Sequence, residues 1–211
     1  MAKRIRVKKN AAYAAVCVAV LSGCASVGPQ ADWAPPAVGT SYETAQRNTG
    51  SYGKDVQFKV TRGTSTFNGV PVLTMVNSLG GTVVQRPSDG KWITVLGPNG
   101  KPAMSFDPPL GWEWPLKVGK TFTSRHRLTT HATGTTVDYE FSCNVEEFQK
   151  VTVRAGTFDA FRVQCKNNLE GAETFWYSQG TAAFIKTKSL RSAKHPAGPG
   201  TQETELVTAP K

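Results

Sequence analysis

The chain has 211 residues, 39% of them hydrophobic and 19% charged, enough for one ordinary domain or two small ones. Its formal net charge of +10 resembles that of a nucleic-acid-binding protein, but five of the 25 Lys and Arg precede residue 10, with no Asp or Glu among them. Without that segment 20 basic residues face 15 acidic ones, so the remaining charge of +5 excludes a nucleic-acid-binding stripe and predicts a mildly basic surface.

The N-terminal segment has the pattern of a secretory signal peptide, which we place at residues 1–23. Five basic residues are followed by an apolar run from Ala11 to Leu21 and then by small residues. The run is too short to cross a bilayer as a helix, which takes about 20 apolar residues. We therefore expect the protein to be exported.

The end of this signal, Leu21-Ser22-Gly23-Cys24, resembles the lipobox of bacterial lipoproteins. The resemblance implies that the thiol of Cys24 is joined to diacylglycerol, that the chain is cut before it, and that the new amine is acylated, for instance with palmitate. Cys24 is followed by Ala25 and not by Asp, so the resemblance also implies a location on the periplasmic face of the outer membrane. The alternative is an ordinary signal peptide with a chance cysteine.

Residues 24–50 are rich in Ala, Pro, Gly, Ser and Thr and show neither a helical nor an alternating period. They predict a flexible tether with a root-mean-square span of about 30 Å. Trp33 and Tyr42 are its only aromatic residues, and they either dock on the folded domain or lie at the lipid interface.

Residues 51–208 predict an all-β domain: an antiparallel meander that forms a curved sandwich or a partly open barrel. Apolar and polar residues alternate in Val56–Thr61, and later runs are separated by turn signals such as Pro98-Asn99-Gly100. The segment 107–119 is rich in Pro and Gly, so no strand is expected to continue through it. The segment forms either a corner of one domain or a hinge between two. It contains Trp112 and Trp114, and a pair of tryptophans in such a segment more often packs over one end of a hydrophobic core than stacks on sugars or bases.

Cys143 and Cys165 are the two cysteines that remain after Cys17 is removed with the signal and Cys24 is lipidated. In an exported protein an even pair favours a disulfide, although two free buried thiols are the alternative. The strand period places each sulfur on an apolar face, with Phe141 and Val145 in one strand and Val163 in the other. We therefore predict a Cys143–Cys165 disulfide, which stabilises the fold by about 3 kcal/mol in the chain-entropy model.

Three motifs in the second half resemble a β-rich domain of uncharacterised bacterial envelope lipoproteins. They are Trp114–Lys120 with its PLKVG sequence, Val151–Phe161 with VTVRAGTFDAF, and Phe175–Ser178 with FWYS. The resemblance covers about residues 112–190. It implies a β fold and an envelope location, and its motifs are structural.

Catalytic and metal-binding patterns are missing from the sequence. His126, His131 and His195 lack metal-ligand spacing, and His126 falls on the apolar face of its strand, as a core histidine does. There is no nucleophile elbow, zinc-protease motif, P-loop or dinucleotide fingerprint. We therefore expect neither enzyme activity nor a cofactor or metal.

Two basic groups are candidate anion-binding residues. They are Arg125 and Arg127 on one strand, and Lys186, Lys188, Arg191 and Lys194 in the late segment. The partner would be an anionic envelope polymer or lipid, although an edge strand guarded by lysines explains the second group without a ligand.

Two functions remain: a non-catalytic binding or scaffolding module, and a carrier of an apolar ligand inside a curved sheet. A carrier needs a cavity, whereas the predicted inward residues are mostly large. We therefore favour the binding module, working in the periplasm on a protein, polymer or lipid partner.

Overall fold

Fourteen β-strands and a single 3-10 turn, at Gln179–Thr181, make up the described part of the chain. The structure is a computed structural model, and it describes residues 28–211. The predicted signal peptide and Cys24 lie outside these residues. The strands of the first half are β1 (Gln30–Ala31), β2 (Ser41–Gly50), β3 (Val56–Phe67), β4 (Val70–Asn77), β5 (Thr82–Gln85), β6 (Trp92–Leu96) and β7 (Pro102–Leu110). Those of the second half are β8 (Leu116–Lys117), β9 (Thr121–Thr130), β10 (Thr135–Val153), β11 (Gly156–Asn167), β12 (Gly171–Ser178), β13 (Ala183–Arg191) and β14 (Gly200–Leu206).

Twelve of these strands form one closed antiparallel barrel, so the prediction of an all-β antiparallel meander is confirmed. Each strand pairs with its neighbour in sequence, and β14 closes the ring by pairing with β2. The two remaining strands, β1 and β8, pair with each other. Because every barrel strand has two partners, the barrel is closed and not partly open. No helix among residues 28–211 has the length and apolar character needed to cross a membrane.

The predicted boundary between tether and domain is wrong, because residues 41–50 form barrel strand β2. Strand β2 pairs with β14 on one side and with β3 on the other. Its inner face carries Thr44, Gln46 and Asn48, which are polar, so the strand lacks the apolar alternation by which strands are recognised. Upstream of it, Ala31 is fully buried in β1. The folded domain therefore begins earlier in the chain than predicted.

The Pro-rich segment joins two neighbouring strands of the same barrel. Strands β7 and β9, on either side of it, pair directly, so both halves of the chain belong to one barrel. The expectation that no strand continues through residues 107–110 is wrong, because β7 runs through Pro108 and Pro109 to Leu110. The actual crossing is residues 111–120, which include β8.

The barrel has two different ends, which we call the hairpin end and the N-terminal end. The hairpin end carries the turns β2–β3, β4–β5, β6–β7, β9–β10, β11–β12 and β13–β14. The N-terminal end carries the other connections, together with β1 and β8. Towards the N-terminal end the inner side chains are buried: Thr44, Val60, Phe122, Val145, Phe161, Tyr177 and Leu206.

Candidate functional site

Three tryptophans occupy the N-terminal end of the barrel, and we call them the tryptophan cluster: Trp33, Trp112 and Trp114. The ring of Trp114 lies between the other two, with centroids 5.7 Å from Trp33 and 6.0 Å from Trp112. Trp112 is only 6% exposed. Its ring meets those of three aromatic residues from β12 and β13: Phe175 at 5.4 Å, Tyr177 at 6.0 Å and Phe184 at 4.8 Å. Trp112 therefore covers the core, the more favoured of its two predicted roles.

The tryptophan cluster also holds the turn between β5 and β6. The indole Nε1 of Trp33 donates to the carbonyl oxygen of Pro87 at 2.9 Å, and that of Trp114 donates to the carbonyl of Asp89 at 3.0 Å. Gly90 has a φ of +70°, and a Cβ there would lie 2.3 Å from Trp33. Only glycine fits this contact. Of the two predicted placements of Trp33, the structure therefore has the one docked on the domain.

The disulfide lies in the same core. Cys143 on β10 is directly opposite Cys165 on β11, and the two are bonded. Both cysteines are at least 96% buried, among Phe141, Val145 and Val163. The predicted pairing is present in the structure.

The long β10–β11 hairpin projects beyond the strands beside it at the N-terminal end. Strand β9 accompanies β10 only as far as Asn144, so residues 145–153 continue without it. The hairpin tip returns to β14, where the Ala155 amide donates to the carbonyl of Leu206 at 3.2 Å and Arg154 pairs with Glu205 at 2.8 Å. The Val151–Phe161 motif includes this tip, and its contacts with β14 hold the hairpin in place.

At the hairpin end the inner side chains are only half-buried. They are Asn48, Val56, Val83, Val95, Leu128, Val137, Glu173, Ser189 and Gln202. Between β14 and β2 this surface is polar, and the amide of Gln202 donates to Asn48 at 3.1 Å. This polar part of the inner surface can bind a polar ligand group, whereas the valines and Leu128 of the other strands make the rest of it apolar.

Glu173 is the unexpected member of this inner surface. It shares the inward face of β12 with Phe175 and Tyr177, and among the described residues it takes part in no ion pair. Burial raises the pKa of its carboxyl, and the guanidinium of Arg191 offsets only part of that rise. Burial, with the charge of Glu173, also raises the pKa of the Tyr139 hydroxyl. Burial of a carboxylate without an ion-pair partner destabilises the fold, and such a group inside a barrel is a candidate for binding a ligand.

Replacement of Glu173 by glutamine is expected to raise Tm by a few degrees at pH 7. A carboxyl whose pKa is raised in the folded state stabilises that state below the unfolded pKa, about 4.5, and this contribution is lost as the pH rises through the folded value. Glutamine imitates the protonated form, so the gain should disappear near pH 4.

Glu203→Gln is the matched control, with the opposite sign. The hydrogen bond from Lys186 lowers the pKa of the Glu203 carboxyl, so its loss should lower Tm at pH 7. Thermal melts of the wild type and both variants from pH 4 to 8 measure this. A lower Tm for Glu173→Gln at pH 7 would contradict the burial of an unpaired carboxylate.

The structure keeps the two predicted basic groups apart. Arg125 and Arg127 point outward from β9, and Lys186 and Lys188 lie on β13, four strands away. Three of the six have acidic partners: Arg125 pairs with Glu140 at 2.6 Å, and Lys186 and Lys188 reach Glu203 at 2.6 and 3.4 Å.

The remaining three basic residues take part in no ion pair among residues 28–211. Arg127 lines a surface pocket of about 230 Å³ that also contains Asp107. The guanidinium of Arg191 stacks 3.9 Å from the Tyr52 ring, and Lys194 is exposed in the β13–β14 turn. Anion binding by these two groups stays a prediction.

The three histidines make hydrogen bonds within the fold. The Nδ1 of His126 donates to the carbonyl of Pro108 at 2.7 Å, and its Nε2 lies 2.8 Å from the Ser124 hydroxyl, so it is a hydrogen-bonded core histidine. His131 contacts Ser105 at 2.8 Å, and His195 lies in the β13–β14 turn. Within residues 28–211 no three His, Cys, Asp or Glu side chains are grouped so as to hold a metal ion.

Comparison with known proteins shows the fold alone. No family model and no curated protein sequence matches the chain. Among solved structures, the chain is similar to a predicted exported protein with a YmcC-like fold from Bacteroides fragilis NCTC 9343, with a TM-score of 0.50 and 15% identity over 86% of this chain and 99% of that one.

Two further solved structures are less similar to the chain. One is to a predicted lipoprotein from Parabacteroides distasonis ATCC 8503, with a TM-score of 0.43 and 11% identity over 84% of this chain and 97% of that one. The other is to the hypothetical lipoprotein YmcC from Escherichia coli K12, with a TM-score of 0.43 and 10% identity over 79% and 84%.

Proposed function

We propose that this chain is a lipid-anchored protein of the bacterial envelope whose barrel is a non-catalytic binding or scaffolding module in the periplasm. The signal pattern and the lipobox-like ending at Cys24 support the anchor, most naturally in the outer membrane. The Cys143–Cys165 disulfide fits an oxidising compartment. The exported protein that shares the fold supports the same location.

The filled core is the observation that favours a binding module over a carrier of an apolar ligand. A carrier leaves a cavity of hundreds of cubic ångströms inside the barrel. Here the interior near the N-terminal end is packed with the protein's own side chains, including Phe122, Phe141, Phe161, Trp112 and the disulfide. At the hairpin end, Glu173, Ser189, Gln202 and Asn48 make one side of the half-buried inner surface polar, and an apolar ligand against that side would leave these groups without partners.

The anchor is tested in the bacterial host by replacing Cys24 with serine. The variant should remain an uncleaved precursor without metabolic palmitate label, and globomycin should block cleavage of the wild type. Cys17→Ser is the matched control, because it changes a cysteine that the signal removes and should leave labelling intact. An unlabelled wild type would contradict the anchor.

The choice between module and carrier is tested by native mass spectrometry of the protein purified from its host, after the N-terminal lipid is accounted for. A binding module should show the mass of the chain alone or with a protein or polymer partner. A stoichiometric, lipid-sized adduct that survives purification would contradict the module and support the carrier.

A further inference from the structure

An open groove that contains three phenylalanines runs along the N-terminal end of the barrel, beside β1. Its volume is about 640 Å³, and its walls are the projecting hairpin, the 3-10 turn and Pro29 and Gln30 at the start of β1. Phe148, Phe158 and Phe161 line it, together with polar residues of the hairpin and the 3-10 turn. Phe148 is 40% exposed, and its ring lies 4.8 Å from that of the buried Phe161. A large aromatic side chain is thus left facing solvent on an apolar base.

The groove lies close in sequence to the predicted lipid attachment point. Pro29 and Gln30 form part of its wall, and Gln30 is held by pairing with Lys117. Cys24 precedes Gln30 by six residues, which reach at most about 20 Å even when fully extended. A lipid on Cys24 therefore keeps this end of the barrel within about 20 Å of the membrane.

The hairpin end is held farther away. Leu190 lies seven residues from Ala183 along β13, a rise of about 23 Å. The short connection therefore favours one orientation: the groove side is near the bilayer, and the inner surface with Glu173 is at the opposite end.

The charges around the groove also suit a lipid surface. Lys117 is exposed beside Gln30, next to Val118, which is 44% exposed. The one carboxylate that lines the groove belongs to Asp159, and Lys150 pairs with it at 3.0 Å. Exposed aromatic and aliphatic side chains combined with lysines are the composition that binds the interface of a bilayer with anionic lipids.

We propose that the N-terminal end of the barrel rests on the bilayer, with the Phe148 groove in contact with the lipid. The inference rests on the proposed lipidation of Cys24. It assigns the membrane-facing surface of the module and leaves the hairpin end for the periplasmic partner.

The test places an environment-sensitive fluorophore on the full mature lipoprotein in vesicles. Phe148→Cys reports on the groove and Leu190→Cys on the hairpin end, and Val118→Cys is a second reporter should the label at position 148 disturb folding. The vesicles contain phosphatidylethanolamine and phosphatidylglycerol, with or without brominated acyl chains. Labels at 148 and 118 should shift to the blue and be quenched several-fold more by bromine than the label at 190.

Equal quenching at both ends, or quenching at 190 alone, would overturn the proposed orientation. The same samples are analysed for acylation, which separates the two claims. Acylated protein without quenching at 148 and 118 contradicts only the orientation, whereas protein without acylation contradicts the proposed anchor on which the inference rests.

Discussion

Replacement of Trp112 by alanine is expected to lower the free energy of unfolding by about 3–5 kcal/mol. The side chain is 6% exposed and contacts four aromatic rings at 4.8–6.0 Å, so its removal leaves a cavity that rigid neighbours cannot close. The loss should be larger than that of any surface substitution, because Trp112 joins the crossing segment to β12 and β13.

Urea unfolding followed by far-ultraviolet circular dichroism measures this loss. Trp112→Phe should recover part of the stability, since a smaller ring keeps some of the edge contacts. Val38→Ala is the surface control, because Val38 is 63% exposed, and its effect should stay within about 0.5 kcal/mol. A loss of less than about 1 kcal/mol for Trp112→Ala would contradict a core role for the tryptophan cluster.

Removal of the disulfide is expected to destabilise the barrel by about 3 kcal/mol. The two cysteines are 22 residues apart, and the bond restricts that loop in the unfolded chain. The variant is Cys143→Ala with Cys165→Ala, which leaves no lone thiol in the core. Small apolar replacements avoid placing a polar group among Phe141, Val145 and Val163.

The same effect should be produced by reductant in the wild type but not in the double variant. Urea unfolding with and without dithiothreitol makes this comparison, and thiol titration of the unfolded, unreduced protein should detect no free cysteine other than any unlipidated Cys24. Two titratable core thiols, or unfolding curves that do not respond to reductant, would contradict the disulfide and support the alternative of free buried cysteines.

Strands were predicted correctly from the sequence where one face of the strand is apolar and the other is polar. Val56–Val60 and Val137–Val145 alternate clearly, and both segments are strands with those residues directed inward. Strand β2 was missed because its inner residues beyond Tyr42 are polar, and this is also why closure of the barrel was not predicted. The continuation of β7 through two prolines was missed for a different reason, since proline usually excludes a strand interior.

The candidate site was predicted unevenly. The core positions of Trp112, Cys143 and His126 follow from local pattern, and the structure bears them out. Glu173 was missed because a glutamate beside a turn normally points to solvent. Its spacing from Phe175 and Tyr177 places it on their face, and that period was the available signal. The acidic partners of Arg125 and Lys186 could not be foreseen, because they come from other strands.

The central claim, a processed and lipid-anchored barrel with an oxidised core, is tested most directly by the intact mass of the protein extracted from its host's membranes. We predict the mass of residues 24–211 carrying a diacylglyceryl group and an N-terminal acyl chain, with two hydrogen atoms fewer than the reduced chain. The mass of the complete 211-residue chain, or of a cleaved chain without lipid, would contradict the account.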